Sequence, residues 1–495
     1  MENGTAEEML SAARAASVLW RDTPLSKRTG FLRAFRGRVV DELDLITETL
    51  KVDAGKPSVE TILNDVLPTL EIATYLERRA GEILRSERRR STFFYPRSRF
   101  TLEYHPRGVV LVLAPWNFPF QLALVPTLSA LVAGNGVLLK VSERMPGMGP
   151  LLQNLFNKAG FPKNVVQVVT GGPDMGEALV QAGPDMVFLT GSQATGRRVM
   201  KMAADRLIPL VLELGGKDPM IVFPDAPFGR AVEAAVYGAF VNAGQVCVSV
   251  ERVFAHRSLF DRFAAALVRR TAALRLGSDE ESDVGPLINE GHAERFRDLV
   301  QDALDKGARA LTPVTIQGRR AAPVILTGVD SRMRLWEEEA FGPVLLLAPF
   351  QSEDEVVGLA NGTSYGLNAS VWTMDLAKGR RVASRLECGN VAVNDVMKNI
   401  GNPHMPFGGV KASGLGLSHG PEGLRSFCRP LSLMVNTGRW PREPNWFPYG
   451  RKLLRDLKMM FALIFSTKSW GRRLVDVVKL GRAYRQELRR TKNEK

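Results

Sequence analysis

A carboxylate and a thiol stand at opposite ends of one stretch of the chain, 212–247. It begins Leu212-Glu213-Leu214-Gly215-Gly216-Lys217-Asp218-Pro219 and ends Phe240-Val241-Asn242-Ala243-Gly244-Gln245-Val246-Cys247. A thiolate is a strong nucleophile, and a carboxylate beside it can take a proton from the thiol or from a water. The pair therefore points to covalent catalysis, with Cys247 as nucleophile and Glu213 as its base or as the activator of a water. Gly215 and Gly216 let the backbone bend sharply or approach a ligand closely. Asn117 fits the same chemistry. It lies in Pro115-Trp116-Asn117-Phe118-Pro119, a stiff, bulky loop suited to holding an amide donor still. Its side chain and the backbone N–H of Cys247 can together stabilise an oxyanion developing on an attacked carbonyl. Each residue taken singly has an ordinary alternative: a buried structural cysteine, a solvated glutamate, a turn asparagine.

These groups need a scaffold, and the pattern around them supplies one. Apolar, β-branched runs at Gly108–Ala114, Gly136–Val141, Val165–Val169, Met186–Leu189 and Pro209–Glu213 read as strands. Helical patterns at Gln121–Ala133 and Leu151–Ala159, and from Gly191 to Met202, separate several of them. Such alternation predicts a doubly wound parallel sheet, whose ligands bind beyond the carboxyl ends of the strands. Lys140-Val141-Ser142-Glu143 follows one of these strands, where a nucleotide ribose would lie. A glutamate there accepts from a ribose 2′-hydroxyl and repels a 2′-phosphate. Gly191 and Ser192 open the next helix and offer donors to a pyrophosphate. A glycine C-cap and a serine N-cap are the plain alternative.

A second alternating region runs over about 216–411. It contains Met220–Phe223, a helix over Ala226–Asn242, and strands at Arg252–Ala255, Gly342–Leu347 and Ala369–Thr373. Ahead of both, Leu19, Leu32, Phe35, Val39, Leu43 and Ile46 recur at helical spacing from Ala6 to about Arg90. From about Glu87 to Tyr104, basic and aromatic residues alternate weakly, as in a β arm or an exposed loop. The fold class is therefore α/β: two doubly wound domains, a small β arm and a basic helical C-terminal tail. The expected boundaries are 1–86 with 106–214 for the cofactor domain, 215–411 for the catalytic domain, 87–105 with 412–437 for the arm, and 438–495 for the tail.

Composition bounds the rest. The chain has 495 residues, 45% hydrophobic and 24% charged, enough for several domains around large cores. Cys247, Cys388 and Cys428 are odd in number and far apart, which argues for a reducing compartment without disulfides. The five histidines show no metal-ligand spacing. An acidic start, Met1 to Glu8, lacks a signal core, and no run of eighteen apolar residues predicts a spanning helix. The net charge of +14 is concentrated: from Gly438 onward, sixteen Lys and Arg face five Asp and Glu. That is a basic tail on a near-neutral body, with no nucleic-acid-binding motif.

Both halves of the 212–247 stretch resemble signatures of the aldehyde dehydrogenase superfamily, with Glu213 in its glutamate motif and Cys247 in its Gly-Gln-x-Cys motif. Pro115–Pro119 resembles the family's oxyanion-hole segment, and the resemblance covers about Ala6 to Leu431. It implies that Trp116, Lys140, Ser142, Glu143, Gly191, Ser192 and Leu214 contact the cofactor. It also implies, from Glu339-Ala340-Phe341-Gly342-Pro343, that Glu339 binds the nicotinamide ribose and Phe341 lines the nicotinamide pocket. The cofactor expected is NAD rather than NADP, with no metal. The activity implied is oxidation of an aldehyde to a carboxylic acid through a cysteine thiohemiacetal and thioester. A base at Glu213 favours hydrolysis, since acylating relatives that use coenzyme A tend to lack it. The resemblance further implies a homodimer or homotetramer joined through the β arm.

Val246 and Val248 flank the thiol, Trp116 and Phe118 are candidate pocket walls, and no cation adjoins Cys247. An apolar aldehyde rather than a charged semialdehyde follows from these neighbours. In the tail, Leu453, Leu454, Leu457, Met460, Phe461, Ile464 and Phe465 fall at helical spacing, and Trp470, Leu474, Val477, Tyr484 and Leu488 suggest a second segment. Trp446-Phe447-Pro448-Tyr449 before Arg451-Lys452 resembles tails of membrane-associated fatty aldehyde dehydrogenases, and a long-chain aldehyde is what that resemblance implies. Residues 450–490 thus suit either an anionic membrane surface or docking on protein. The location expected is cytoplasmic, with or without peripheral attachment. The alternatives are a semialdehyde or acylating dehydrogenase, and a catalytically idle scaffold of the same fold.

Overall fold

A computed structural model describes residues 4–92, 98–439, 443 and 446–493. The chain divides into two compact units, Met1–Arg88 with Thr101–Leu433, and Arg89–Phe100 with Met434–Lys495.

The large unit is built on two sheets. The first has six strands in the order 414–415, Leu210–Glu213, Met186–Thr190, Val109–Leu113, Gly136–Lys140 and Val166–Val169. All pair in parallel except Gly414–Leu415, which runs antiparallel against Leu210–Glu213. Val109–Leu113, Gly136–Lys140 and Met186–Thr190 are buried throughout, because helices cover both faces. Chain order reverses between Val109–Leu113 and Met186–Thr190, and the crevice for a ligand opens at such a reversal. The second sheet has seven strands: Arg309–Ala310, Val324–Thr327, Val344–Phe350, Arg252–His256, Pro219–Val222, Asn368–Trp372 and Asn390–Val393. Only Arg309–Ala310 is antiparallel. The expectation of two doubly wound sheets is met.

The N-terminal helical expectation also holds. Ala6–Arg21, Leu25–Asp41, Leu43–Ala54 and Leu67–Ile83 are helices, with a π-helical turn at Ile62–Val66. Trp20, Phe35, Leu50 and Leu76 bury against the first sheet's helices. Helices unread in the sequence lie at Pro173–Ala182, Phe260–Ala272 and Glu290–Asp305.

Two expectations need correcting. Part of 412–437, expected in the arm, belongs to the first sheet through Gly414–Leu415, while Cys428–Asn436 is a strand of a separate sheet with Glu87–Arg89 and Ser98–Pro106. The helix expected to run to Asn242 stops at Phe240, because Asn242 and Ala243 take left-handed conformations at φ 51 and 54.

In the small unit, Arg451–Ile464 and Trp470–Asn493 are helices packed against each other. Leu454, Phe461, Phe465, Trp470 and Leu474 stay exposed. Residues 440–442, 444 and 445 of the expected boundary lie outside the described residues, as do the side chains of Tyr484 and Leu488. Among the described residues, no helix is long and apolar enough to cross a membrane.

Candidate active site

The chain passes from the carboxyl end of the first sheet directly to the amino end of the second. Glu213 ends strand Leu210–Glu213, and Pro219 begins the next strand. Cys247 precedes Arg252–His256, and Glu339–Phe341 precedes the neighbouring parallel strand Val344–Phe350. A parallel ladder puts all amino ends on one edge, so residues distant in sequence converge there.

The left-handed turn at Asn242–Ala243 aims the cysteine segment. Glu60 accepts the backbone N–H of Asn242, and Asn242 Nδ2 donates to Asn117 O at 2.9 Å. Gln245 Nε2 donates to Asn242 O at 3.0 Å, and Gln245 Oε1 accepts from Ile288 N at 2.8 Å. Gly244 sits at φ +69, and a Cβ there would lie 2.2 Å from Gly342 O, so only glycine fits. Cys247 follows, half-buried between the buried Val246 and Val248.

Asn117 Nδ2 donates to Gln245 O at 3.0 Å, which places the amide beside the cysteine segment. Its loop is held from outside as much as by its own prolines. Lys56 Nζ donates to Asn117 O at 2.8 Å and pairs with Asp65 at 2.7 Å. Asp65 Oδ1 accepts from Phe120 N and Gln121 N at 3.1 and 3.2 Å. Both side chains of this pair are buried. Lys56, Asp65, Glu60 and Asn242 were all missed in the sequence, where Gly55-Lys56-Pro57 reads only as punctuation.

Glu213 and Cys247 line one cavity of about 1330 Å³, with Phe118, Leu122, Val246, Val248, Ile400 and Phe407 supplying apolar wall. Exposed Arg78, Arg230, Glu233 and Lys398 also line it, so its solvent side is charged. Trp116 does not line this cavity. It packs instead edge-on to Phe341 at 5.5 Å and to His292 at 5.6 Å. Ser418 Oγ donates to Glu213, a contact the sequence did not signal. Burial pushes the Glu213 carboxyl up to about 7, against the pull of the Ser418 hydrogen bond. Burial also raises the Cys247 thiol, helped by the negative charges of Glu339, Glu213 and Asp218. Added positive charge or lost negative charge beside the thiol makes it easier to ionise.

Lys140, Ser142, Glu143, Gly191, Ser192 and Leu214 lie along the carboxyl edge of the first sheet, and Glu339 faces them from the second. Lys140 Nζ meets Glu143 at 3.3 Å, and Ser142 Oγ accepts from Arg144 N at 3.3 Å. Ser192 caps helix Gln193–Ala204 by accepting from Thr195 N at 3.2 Å. Gly191 N donates to Glu213 O at 3.0 Å, and Leu214 N to Ser413 O at 2.9 Å. A Cβ on Gly196 would lie 2.8 Å from Leu214, so the helix can approach the strand closely only with glycine there. Glu339 Oε1 accepts from Gly216 N at 3.1 Å, and burial beside Glu251 pushes its carboxyl up to about 8. A dinucleotide fits this edge. The Thr190 hydroxyl and the Gln193 amide nitrogen are buried without partners at the strand-to-helix turn, and the first N–H groups of a helix lack intrahelical acceptors. Among the described residues, no cluster of His, Cys, Asp or Glu could hold a metal.

A doubly wound sheet with a topological reversal, beside a cavity lined by a thiol and a carboxyl, is an arrangement suited to a cofactor-dependent oxidoreductase. The family model of the aldehyde dehydrogenase family matches residues 1–432, and the chain belongs to that family; it is an NAD(P)-dependent aldehyde dehydrogenase. It is 42% identical over 464 residues to the 4,4'-diapolycopene aldehyde oxidase of Methylomonas sp, covering 94% of this chain and 88% of that protein. It is 34% identical over 444 residues to a putative succinate-semialdehyde dehydrogenase [NADP(+)] of Mycolicibacterium smegmatis, covering 88% and 85%. Among solved structures, it resembles betaine aldehyde dehydrogenase from Staphylococcus aureus in complex with NAD+, with a TM-score of 0.84 and 30% identity over 90% of each chain. It likewise resembles the Mycobacterium tuberculosis aldehyde dehydrogenase complexed with NAD+, with a TM-score of 0.83 and 32% identity over 89% and 92%.

Proposed function

We propose that the protein oxidises an apolar, long-chain aldehyde to its carboxylic acid with NAD and water. The observation that carries this reading is that Glu213 and Cys247 share one largely apolar cavity. The Cys247 thiol releases its proton to solvent, and the thiolate attacks the aldehyde carbon to form a thiohemiacetal. The Asn117 amide and the Cys247 N–H stabilise the oxyanion. A bound NAD would supply the hydride acceptor for the carbon held on Cys247. Cys247 is then left as a thioester, and Glu213 takes a proton from a water that attacks it, releasing the acid and restoring the thiol. Glu143 favours NAD by repelling a 2′-phosphate, although relatives named for NADP share a third of the sequence. The 42% identical relative is named for a diapolycopene aldehyde, in keeping with an apolar substrate.

The test is NADH formation over short, long-chain and aromatic aldehydes and succinate semialdehyde, with and without coenzyme A. Long-chain aldehydes should give the highest kcat/KM, with no stimulation by coenzyme A. Preference for succinate semialdehyde, or dependence on coenzyme A, would refute the substrate class or the hydrolytic route. A Cys247→Ala variant that reduced NAD at near wild-type rate would refute the nucleophile.

The same reading places the protein in the cytoplasm, on the strength of three free cysteines. Helix Arg451–Ile464 buries none of its residues and leaves Leu454 and Phe461 exposed, and the tail is strongly basic. These features support attachment to an anionic membrane surface. Unchanged binding to anionic liposomes after truncation at Gly438 would exclude it. Strand Cys428–Asn436, with Leu433, Met434 and Val435 exposed, supports a homodimer or homotetramer, which light scattering measures directly.

A further inference from the structure

Lys217 and Glu251 form an ion pair whose side chains are 0% and 1% exposed. Lys217 stands just beyond Glu213 and Glu251 just beyond Cys247, so the pair links the two catalytic segments. It also reaches a third one. Lys217 Nζ donates to Glu338 O at 2.7 Å. The Glu251 carboxylate accepts from Ala340 N at 3.0 Å and from Phe341 N at 3.3 Å. Helix Glu290–Asp305 grips the same loop from another side. Arg295 donates to Glu339 O at 3.0 Å and to Ala340 O at 3.3 Å. His292 Nε2 lies 2.7 Å from Phe341 O; a carbonyl only accepts, so this nitrogen carries the proton.

The loop so held is under strain. Phe341 has φ +51, a left-handed conformation that an aromatic residue keeps only when its surroundings impose it. There is no slack beside it, because a Cβ on Gly215 would lie 2.1 Å from the Glu339 carboxyl. A buried ion pair seldom stabilises a fold more than apolar side chains of similar size would. What this one supplies is placement: a carboxylate fixes two consecutive N–H groups, and an ammonium fixes the carbonyl before them.

We infer that Lys217 and Glu251 are positioning residues for the nicotinamide half of the cofactor, setting Glu339 and Phe341 at a fixed distance from Cys247. The inference rests on the proposed cofactor roles of Glu339 and Phe341. A misplacement of about 1 Å at a reacting centre can cost roughly a hundredfold in rate, so such a device has catalytic consequence.

Two variants test it. Lys217→Met with Glu251→Met removes both charges at similar volume, a change that commonly leaves a fold intact. Glu251→Asp keeps the charge and shortens its reach to Ala340 and Phe341. NAD affinity is read by quenching of intrinsic fluorescence, alongside KM for NAD, KM for aldehyde, alkylation of Cys247 by iodoacetamide, and thermal melting. The expected result in both variants is an NAD dissociation constant and KM raised by about tenfold or more, with aldehyde KM and alkylation rate little changed. An NAD affinity close to wild type in the folded double variant would overturn the inference. So would parallel losses for NAD and aldehyde that track melting. A wild-type protein that bound neither NAD nor NADP would instead sink the cofactor reading itself.

Discussion

Replacing Glu213 by glutamine separates the two halves of the proposed reaction. Glutamine is nearly isosteric and can still accept from Ser418, so the cavity keeps its shape and loses only a base. A general base contributes about 10²–10⁴-fold. Hydrolysis of the thioester should slow by that factor, while attack and hydride transfer continue. Mixing enzyme, NAD and aldehyde rapidly should then give a burst of NADH, about one per active site, followed by a steady rate at least ~100-fold below wild type. The pH profile adds a second reading. Burial holds the wild-type carboxyl at about 7, and it works as a base only when ionised. The wild-type steady rate should therefore climb as pH rises through about 7, and the variant should lack that limb. The same shift acts on stability with the opposite sense. A carboxyl raised from 4.5 to about 7 favours the folded state fully below its unfolded pKa and loses that contribution as pH rises through about 7. The loss is on the order of 3 kcal/mol. The glutamine variant should thus be the more stable protein in urea at mildly alkaline pH, and the gap should close in mild acid. A steady rate within about threefold of wild type, or a burst lost together with the steady rate, would refute Glu213 as the hydrolytic base.

Asn117→Ala should lower kcat by about a hundredfold or more by removing an oxyanion donor. It should also cost about 0.5–1.5 kcal/mol, since Gln245 O loses one of its two buried donors and keeps Asn242 Nδ2 at 3.2 Å; kinetics and melting read the two effects separately. Glu143→Ser should remove the carboxylate that Lys140 now meets at 3.3 Å and leave a cation for a 2′-phosphate. The ratio of kcat/KM for NADP over NAD should rise by about tenfold or more, and an unchanged ratio would refute the ribose assignment. Glu339→Gln should flatten the alkaline side of the stability profile. Its carboxyl, raised to about 8, contributes below the unfolded pKa of 4.5 and stops contributing as pH rises through about 8.

Much of this protein is legible in one dimension. The β-branched runs at Val109–Leu113, Gly136–Lys140 and Met186–Thr190 are buried on both faces, and such strands must read as continuous apolar segments. Their alternation with helices dictates the doubly wound sheet, and the sheet dictates which edge carries Trp116, Lys140, Gly191 and Glu213. Local chemistry also singled out Cys247, Glu213 and Asn117, because few residue types can serve as nucleophile, base and oxyanion donor.

What folding alone decided are the contacts between segments far apart in the chain. Nothing around Asn242 and Ala243 announces a left-handed turn; Glu60 and Asn117, from other elements, impose it, and the helix ends early. Trp116 looked like a pocket wall but faces Phe341 and His292 instead. Lys56, Ser418 and Glu251 carry no local signal, since an isolated lysine, serine or glutamate is ordinarily solvated. They acquire roles only because two parallel sheets set the carboxyl edge of one against the amino edge of the other. Burial there strips water from charged groups, so each must find a partner in the fold or shift its pKa.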